Sequence, residues 1–98
     1  MTLIDTDAAR EAFTQLEALA AELAERNFET RVTSDGGAPC LSVVNPAVIS
    51  LHETIAVGSA DDGVWWFWWS WGDRIARITD IGTAAFKIAY VLLPQVGG

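Results

Sequence analysis

Hydrophobic residues recur with two different periods along the chain, and the change of period marks the predicted elements. Across residues 6–26, apolar positions follow the i, i+3, i+4, i+7 spacing of an amphipathic helix. Asp5 or Thr6 is placed to cap its start. The pattern therefore predicts a helix that packs against a sheet or another helix through Ala9, Ala12, Phe13, Leu16, Leu19, Ala20 and Leu23.

Alternation with a period of two then predicts strands joined by short turns. Residues 28–34 alternate with charges on one side, which suits an edge strand. A turn at 35–37 leads to a second strand at 39–45, and a third strand follows at 51–59. Because each link is short, an antiparallel meander is the simplest topology.

The run VWWFWWSW at 64–71 holds all five tryptophans and no charge. Turn residues bound it and aromatic side chains favour strands, so it predicts a strand inside the sheet. Strand parity sends alternate side chains to opposite faces. Trp66, Trp68 and Ser70 then lie on one face, and the core receives Trp65, Phe67, Trp69 and Trp71.

The turn at 60–63 ends in glycine, which suits a type I turn followed by a left-handed residue. That hairpin fixes the register between the third strand and the aromatic strand. The predicted pairs are Ala60 with Val64, Val57 with Phe67, Ala56 with Trp68 and Ile55 with Trp69.

The end of the chain predicts a second helix. Residues 72–78 fit either a strand past a glycine bulge or a loop, and the pattern does not decide. Thr79 or Asp80 caps a helix that runs to about Leu93, followed by a tail at 95–98. Its expected inner face is Ile81, Ala84, Ala85, Ile88 and Leu92, with Tyr90 and Val91 nearby.

These elements predict one α+β domain over residues 1–98. It has an N-terminal helix, an antiparallel meander of three or four strands (five if 72–78 adds one) and a C-terminal helix. Both helices are expected on one face of the sheet, which leaves the face of Trp66 and Trp68 without helical cover.

Composition narrows the class of protein. A net charge of −7 argues against nucleic acid and anionic membranes as partners. The single cysteine, Cys40, cannot form an internal disulfide, and acidic residues occupy the positions that a secretory leader needs to be basic or apolar. We therefore expect a cytoplasmic protein with no membrane span.

Catalytic chemistry finds little support in the sequence. The chain has one histidine and none of the common nucleophile, phosphate-loop or metal-binding motifs. His52 and Glu53 are neighbours in a strand and so face opposite ways, and a Cys40–His52 nucleophile pair is disfavoured. We expect no catalytic residue, no metal and no cofactor.

Trp66 and Trp68 allow three interpretations. Loops such as 46–50 cover them, a second copy of the sheet packs on them, or they line a cleft for an apolar ligand. In the cleft, His52, Thr54 and Ser70 are the orienting polar groups. We favour the second copy, because two-fold symmetry hides a self-complementary patch.

Two arginines follow the aromatic run in an otherwise acidic chain. Arg74 and Arg77 suit a carboxylate or phosphate at the end of the sheet. The alternative is that they pair with Asp73, Asp80 or the acidic first helix, and this is the expectation we favour.

The string WWFWWSWGDRI, followed by DIGTAAFKIAYVL, resembles small acidic proteins of unknown function from high-GC actinobacteria. The strand Leu41-Ser42-Val43-Val44-Asn45 belongs to the same resemblance, which implies a regulatory or partner-binding role and no assigned activity. The layout also looks like small dimeric secretion chaperones, at the level of fold alone. We expect a non-enzymatic interaction module, a homodimer that also binds a protein partner. The alternative is a small-ligand-binding domain that uses Trp66 and Trp68 for stacking.

Overall fold

The sheet occupies the middle of the chain, with one helix before it and one after it. The computed structural model describes residues 3–34 and 39–94, and within the first helix it describes side chains from Arg10 onward. The elements are α1 Leu3–Glu25, β1 Glu29–Thr33, β2 Cys40–Val44, β3 His52–Ser59, β4 Trp65–Trp68, β5 Arg74–Arg77 and α2 Ile81–Leu92. The predicted turn at 35–37 and the tail at 95–98 lie outside the described residues.

The five strands form one antiparallel meander in the order β1-β2-β3-β4-β5. Helix α1 packs over β1, β2 and β3, α2 packs over β5, and the helices contact each other. Their buried residues join those of the sheet in one hydrophobic core, so both helices lie on the same face. The predicted α+β fold is confirmed, and the segment at 72–78 supplies the fifth strand.

The buried residues follow the helical and strand periods that the sequence predicts. Helix α1 buries one stripe, and the strands bury alternate residues on the side that faces the helices. The largest fully buried side chains are Phe67, Leu16, Leu19, Leu23, Leu41, Ile55, Ile75, Ile88, Leu92 and Val43. Asn45 is the one buried polar side chain among the described residues.

The helix ends differ in how well they were predicted. Helix α1 begins at Leu3, so Asp5 and Thr6 lie inside the helix and the predicted cap is wrong. The predicted cap of α2 is confirmed, because the amide of Thr83 donates to Asp80 Oδ1 at 3.2 Å.

The hairpin between β3 and β4 has the predicted register. Gly63 has a φ of 82°, the left-handed conformation that the turn requires. The observed pairs include Val57 with Phe67 and Ala56 with Trp68, and the amide of Ala60 donates to the Val64 carbonyl at 2.8 Å.

The aromatic strand is shorter than predicted. After Trp68 the chain turns, with the Trp69 amide donating to the Asp73 carbonyl at 2.8 Å and the Gly72 amide donating to the Trp69 carbonyl at 3.0 Å. Gly72 has a φ of 96°, which an L side chain rarely adopts. The strand prediction over 64–71 and the pairing of Ile55 with Trp69 are therefore wrong beyond Trp68.

Trp71 does not lie in the core as predicted. Its side chain is 54% exposed, because the turn carries it out of the sheet. Its ring stacks on the buried Trp69, with centroids 4.8 Å apart and planes 7° apart. Its Nε1 donates to Asp73 Oδ2 at 2.9 Å, so Trp71 covers the end of the core and satisfies its polar atom locally.

Candidate binding site on the open sheet face

The sheet face opposite the helices is called the open face below. It carries the side chains that alternate with the core-facing ones along each strand. Strand pairing places cross-strand neighbours on the same face, which extends the assignment from β1 to β5. The open face comprises Glu29, Arg31, Thr33, Cys40, Ser42, Val44, His52, Thr54, Ala56, Gly58, Trp66, Trp68, Arg74 and Arg77.

Trp66 and Trp68 lie on the open face, as predicted from strand parity. Both are half-buried. Their neighbours on β3 are the small residues Ala56 and Gly58, which leave room for indole rings to lie against the sheet. Trp68 uses this room, because its Nε1 donates to the Gly58 carbonyl at 3.0 Å.

Arginine side chains cover the tryptophans. The Arg74 guanidinium carbon lies 4.8 Å from the ring centroid of Trp66 and 5.8 Å from that of Trp68. The corresponding carbon of Arg77 lies 5.9 Å from the Trp66 centroid. These distances are typical of cation–π contacts, which hold the guanidinium groups over the indole faces. We name Trp66, Trp68, Arg74 and Arg77 the arginine–indole cluster.

The acidic residues expected to pair with these arginines are engaged elsewhere. Asp73 accepts a hydrogen bond from Trp71, and Asp80 caps α2. The one salt bridge among the described residues joins Glu22 to Arg26 on α1, at 3.3 Å. The prediction that Arg74 and Arg77 pair with acidic groups is therefore wrong within the described part of the chain.

A bulge in β5 brings the two arginines to the same face. Residues three apart in a regular strand point to opposite faces, because side chains alternate. Here Trp68 is opposite Arg74 while Phe67 is opposite Ala76. Moving by one residue on β4 therefore corresponds to moving by two residues on β5. Ile75 is the extra residue, and both Ile75 and Ala76 are buried in the core. The bulge thus re-aims the chain so that both guanidinium groups reach Trp66.

Lys87 of α2 is bonded to the bulge, since its Nζ donates to the Ile75 carbonyl at 2.9 Å. We expect Lys87→Met to lower the free energy of unfolding by about 1 kcal/mol. This is less than the roughly 1.5 to 3 kcal/mol of a hydrogen bond to a charged group, because the site is partly exposed. Urea titration measures this, with Lys87→Arg as the control that keeps a donor. Wild-type stability in the Met variant would show that the bond does not stabilise the bulge.

The indole Nε1 of Trp66 is buried and has no hydrogen-bond partner among the described residues. An unpaired buried donor costs about 1 to 3 kcal/mol relative to a satisfied one. Native proteins satisfy most such groups, with protein atoms or ordered water. The arginine–indole cluster therefore holds an unused donor beside its two cations.

The charge of the open face is opposite in sign to that of the chain. Its described residues include three arginines, Arg31, Arg74 and Arg77, and one acidic residue, Glu29. The chain as a whole carries a net charge of −7. Much of the acidity thus lies away from the open face, and the face presents a local positive potential.

The polar groups predicted to orient a ligand are only partly brought together. Thr54 and His52 both lie on the open face. Along β3 they are two and four residues from Ala56, which pairs with Trp68. Ser70 belongs to the turn after β4, and its Oγ donates to Glu53 Oε1 at 3.2 Å. Glu53 has the core-facing parity, so Ser70 does not join the open face and that prediction is wrong.

A depression of about 310 Å³ lies at the β1–β2 end of the sheet, lined by Glu29, Thr30, Arg31, Ser42 and Val44.

The loop at 46–50 is a compact turn closed by the Asn45 amide, which donates to the Leu51 carbonyl at 2.9 Å. It joins β2 to β3 beside His52, four residues along β3 from Ala56, the neighbour of Trp68. It is tied to the helix side, because Asn45 Nδ2 donates to the Leu92 carbonyl at 2.9 Å. The interpretation that this loop covers Trp66 and Trp68 is therefore wrong, and the arginines provide the cover instead.

The geometry separates the residues of the disfavoured catalytic pair. Cys40 is opposite Ala56 while His52 is opposite Val44, which sets them about 13 Å apart along β3 at about 3.3 Å a residue. Among residues 3–34 and 39–94, no group of three histidine, cysteine or acidic side chains is placed to hold a metal ion. No helix in those same ranges is long and apolar enough to cross a membrane.

Sequence reasoning identified the tryptophans of the open face and named both arginines, but it missed that these four residues form one cluster. The missing signal was the bulge at Ile75, which depends on pairing with β4.

Comparison of the chain with protein-family models, curated proteins and solved structures found no match.

Proposed function

We propose that this protein is a non-enzymatic, cytoplasmic interaction module whose open face binds an acidic segment of a partner protein. The observation that supports this is the placement of Arg74 and Arg77 over Trp66, with no acidic partner among the described residues. Two cations held together without a counter-ion, in a chain of net charge −7, favour an anionic partner.

The cluster has the composition of an interface hot spot. Arginine and tryptophan are the residues whose truncation most often weakens a protein complex. A guanidinium group binds a carboxylate with two parallel hydrogen bonds, and stacking on an indole fixes its plane before the partner arrives. Arg74 and Trp66 show this stacked arrangement, with 4.8 Å between guanidinium carbon and ring centroid. The partner then binds through its carboxylates and through apolar contact with the rings.

A second copy of the chain is the other occupant that the sequence favours for this face. If two copies met face to face across the arginine–indole cluster, Arg74 and Arg77 of one would approach the same arginines of the other. Like charges that oppose each other across an interface disfavour association. The open-face homodimer stays a prediction, and the charge arrangement supports an acidic partner over it.

A small aromatic carboxylate is the second candidate, because guanidinium groups stacked on indole rings also suit the carboxylate of a small ligand. Small-molecule sites are usually enclosed. The depression on the open face, however, lies at the β1–β2 end, away from Trp66. An extended acidic segment fits the shape of the cluster better than a small ligand does.

The experiment compares the binding of matched peptides by fluorescence anisotropy. One labelled peptide alternates Glu and Asp with Leu and Phe, and its control replaces every acid by its amide. The protein variants are Arg74→Ala/Arg77→Ala and Arg10→Ala/Arg26→Ala. Both remove two positive charges, but only the first changes the open face.

We expect the wild type and the Arg10/Arg26 variant to bind the acidic peptide with similar affinity. The Arg74/Arg77 variant should bind at least about tenfold more weakly, a loss of about 1.4 kcal/mol. Binding should weaken when ionic strength rises from about 0.1 to 1 M, because the Debye length falls from about 10 to 3 Å. Equal losses in the two variants, or equal binding of the amide peptide, would contradict the proposal.

A further inference from the structure

A third arginine lies on the open face, away from the arginine–indole cluster. Arg31 of β1 is exposed and is opposite Ser42 of β2 in the sheet register. Among the described residues the one salt bridge joins Glu22 to Arg26, so Arg31 has no acidic partner there. The open face therefore presents two separate cationic positions, and the function proposed above uses only one of them.

The surface between the two cationic positions is low and carries no acidic or basic side chain. Short side chains of β2 and β3 form it, and we name them the central floor: Cys40, Ser42, Thr54 and Ala56. On the β4 side the floor is bordered by Trp68, whose ring leans over Gly58, so that a side-chain carbon at Gly58 would lie 3.5 Å from Trp68 Nε1. On the β1 side it meets the depression that Arg31 lines. A bound chain can therefore approach the sheet closely here while its side chains reach cations at both borders.

The sheet register sets the distance between the two cationic positions. Neighbouring strands lie about 4.8 Å apart, so β1 is about 14 Å from β4 and about 19 Å from β5. Along the strands, the row of Arg31 is displaced by two residues, about 7 Å, from the row of Trp68 and Arg74. Since the Arg74 guanidinium lies over the rings of β4, the two positions are about 15 to 20 Å apart. The line that joins them runs mainly across the strands, over the central floor.

We propose that the acidic segment of the partner crosses the strands over the central floor and binds Arg31 as well as the arginine–indole cluster. This placement rests on the function proposed above and specifies the spacing of the partner's acidic residues. An extended chain advances about 3.3 Å per residue, with alternate side chains on the same side. Acidic residues about four to six positions apart therefore span about 13 to 20 Å, which matches the separation of the cations. Small or apolar residues between them suit the central floor.

Glu29 limits where the acidic segment lies. It is the one acidic residue among the described residues of the open face, and it precedes Arg31 by two residues on β1. It is opposite Val44, which is itself opposite His52, so it stands at the His52 end of the sheet. A partner carboxylate at that end would face a like charge, which disfavours binding. The segment is therefore expected to approach Arg31 from the side of Ala56, where Trp68 and the cluster lie.

Two labelled peptides of the same composition test this spacing by fluorescence anisotropy. Both contain four glutamates and three residues drawn from Ser, Ala and Leu. The spaced peptide has a glutamate pair at each end with the three other residues between the pairs, and the clustered peptide has its four glutamates adjacent. The protein variants are Arg31→Ala, Thr54→Tyr and the matched control Arg10→Ala. The control also removes one positive charge, but from α1, on the other side of the sheet.

We expect the wild type to bind the spaced peptide at least about fivefold more tightly than the clustered one, because only the spaced peptide reaches both cationic positions. Arg31→Ala should weaken the spaced peptide at least about fivefold and the clustered peptide less than about twofold, whereas Arg10→Ala should change neither by more than about twofold. Thr54→Tyr keeps the net charge but fills the central floor, and should also weaken the spaced peptide at least about fivefold. Thr54 is exposed, so its larger replacement stays outside the core, and circular dichroism melts check that each variant is folded.

Equal effects of Arg31→Ala and Arg10→Ala on the spaced peptide would show that Arg31 does not bind the partner. Equal affinity of the wild type for the two peptides would contradict the spacing, and unchanged binding in Thr54→Tyr would contradict the path over the central floor. If Arg74→Ala/Arg77→Ala still loses acidic-peptide binding in these cases, the proposed function stands and only the placement over Arg31 is wrong. If neither peptide binds the wild type, both are wrong.

Discussion

Phe67→Ala is expected to lower the free energy of unfolding by about 3 to 5 kcal/mol, the cost of removing a buried phenylalanine and leaving a cavity. Phe67 is fully buried, with an exposed fraction of 0%. It lies at the centre of β4, paired with Val57 on one side and with Ala76 of the bulged strand on the other. Since a domain has only about 5 to 15 kcal/mol of stability, this single change removes a large share of it.

Urea unfolding followed by circular dichroism measures the loss, and Trp71→Ala is the matched control. Trp71 comes from the same aromatic run but is 54% exposed. Its removal takes away one stacked ring contact, at a centroid distance of 4.8 Å, and one local hydrogen bond. We expect a loss of about 1 kcal/mol there. Similar losses in the two variants would show that the aromatic run is not divided into core and surface as described.

The register of the aromatic hairpin was predictable because a local signal fixes it. Gly63 closes the turn in a left-handed conformation, and this alone sets which residues of β3 and β4 are opposite each other. Once the register is known, parity assigns Trp66 and Trp68 to the open face. The part of the site that depends on one turn was therefore read correctly from the sequence.

The end of the aromatic strand was not predictable in the same way. Ser70 and Trp71 continue the uncharged run of the aromatic strand, so the sequence pattern gives no stop signal before Gly72. The structure ends the strand at Trp68, where the hydrogen bond between Trp69 and Asp73 begins the turn. This turn is what allows β5 to return beside β4, and it places Trp71 and Ser70 away from the positions that parity assigns.

The arginine half of the site depends on contacts distant in sequence. In RIAR, strict alternation puts Arg74 and Arg77 on opposite faces. The buried pair Ile75 and Ala76 requires a bulge, because both side chains enter the core. Lys87 of α2 then bonds the carbonyl of the bulged residue at 2.9 Å. Neither contact leaves a signal in the local sequence, so the cluster could be found only in the folded chain.

Asn45→Ala is expected to lower the free energy of unfolding by about 2 to 4 kcal/mol. One buried and one partly buried hydrogen bond are lost, and each unsatisfied partner costs about 1 to 3 kcal/mol. Its Nδ2 donates to the Leu92 carbonyl at 2.9 Å, and its Oδ1 accepts from the Ala47 amide at 2.9 Å. One side chain thus closes the loop after β2 and satisfies a carbonyl in the last turn of α2. Without it, that turn and the neighbouring Leu93 lose their anchor.

The matched control for Asn45 is Asp62→Ala, which removes a side chain that also bonds the amide two residues along the chain. Asp62 Oδ1 accepts from the Val64 amide at 3.0 Å, but the site is exposed, so water replaces the lost bond. We expect the Asp62 change to cost less than about 1 kcal/mol in the same urea titration. Amide exchange gives an independent measure, because Asn45→Ala should speed exchange in the last turn of α2 while Asp62→Ala leaves it unchanged. Equal stability losses with no change in exchange would mean that α2 is held by its buried apolar face alone.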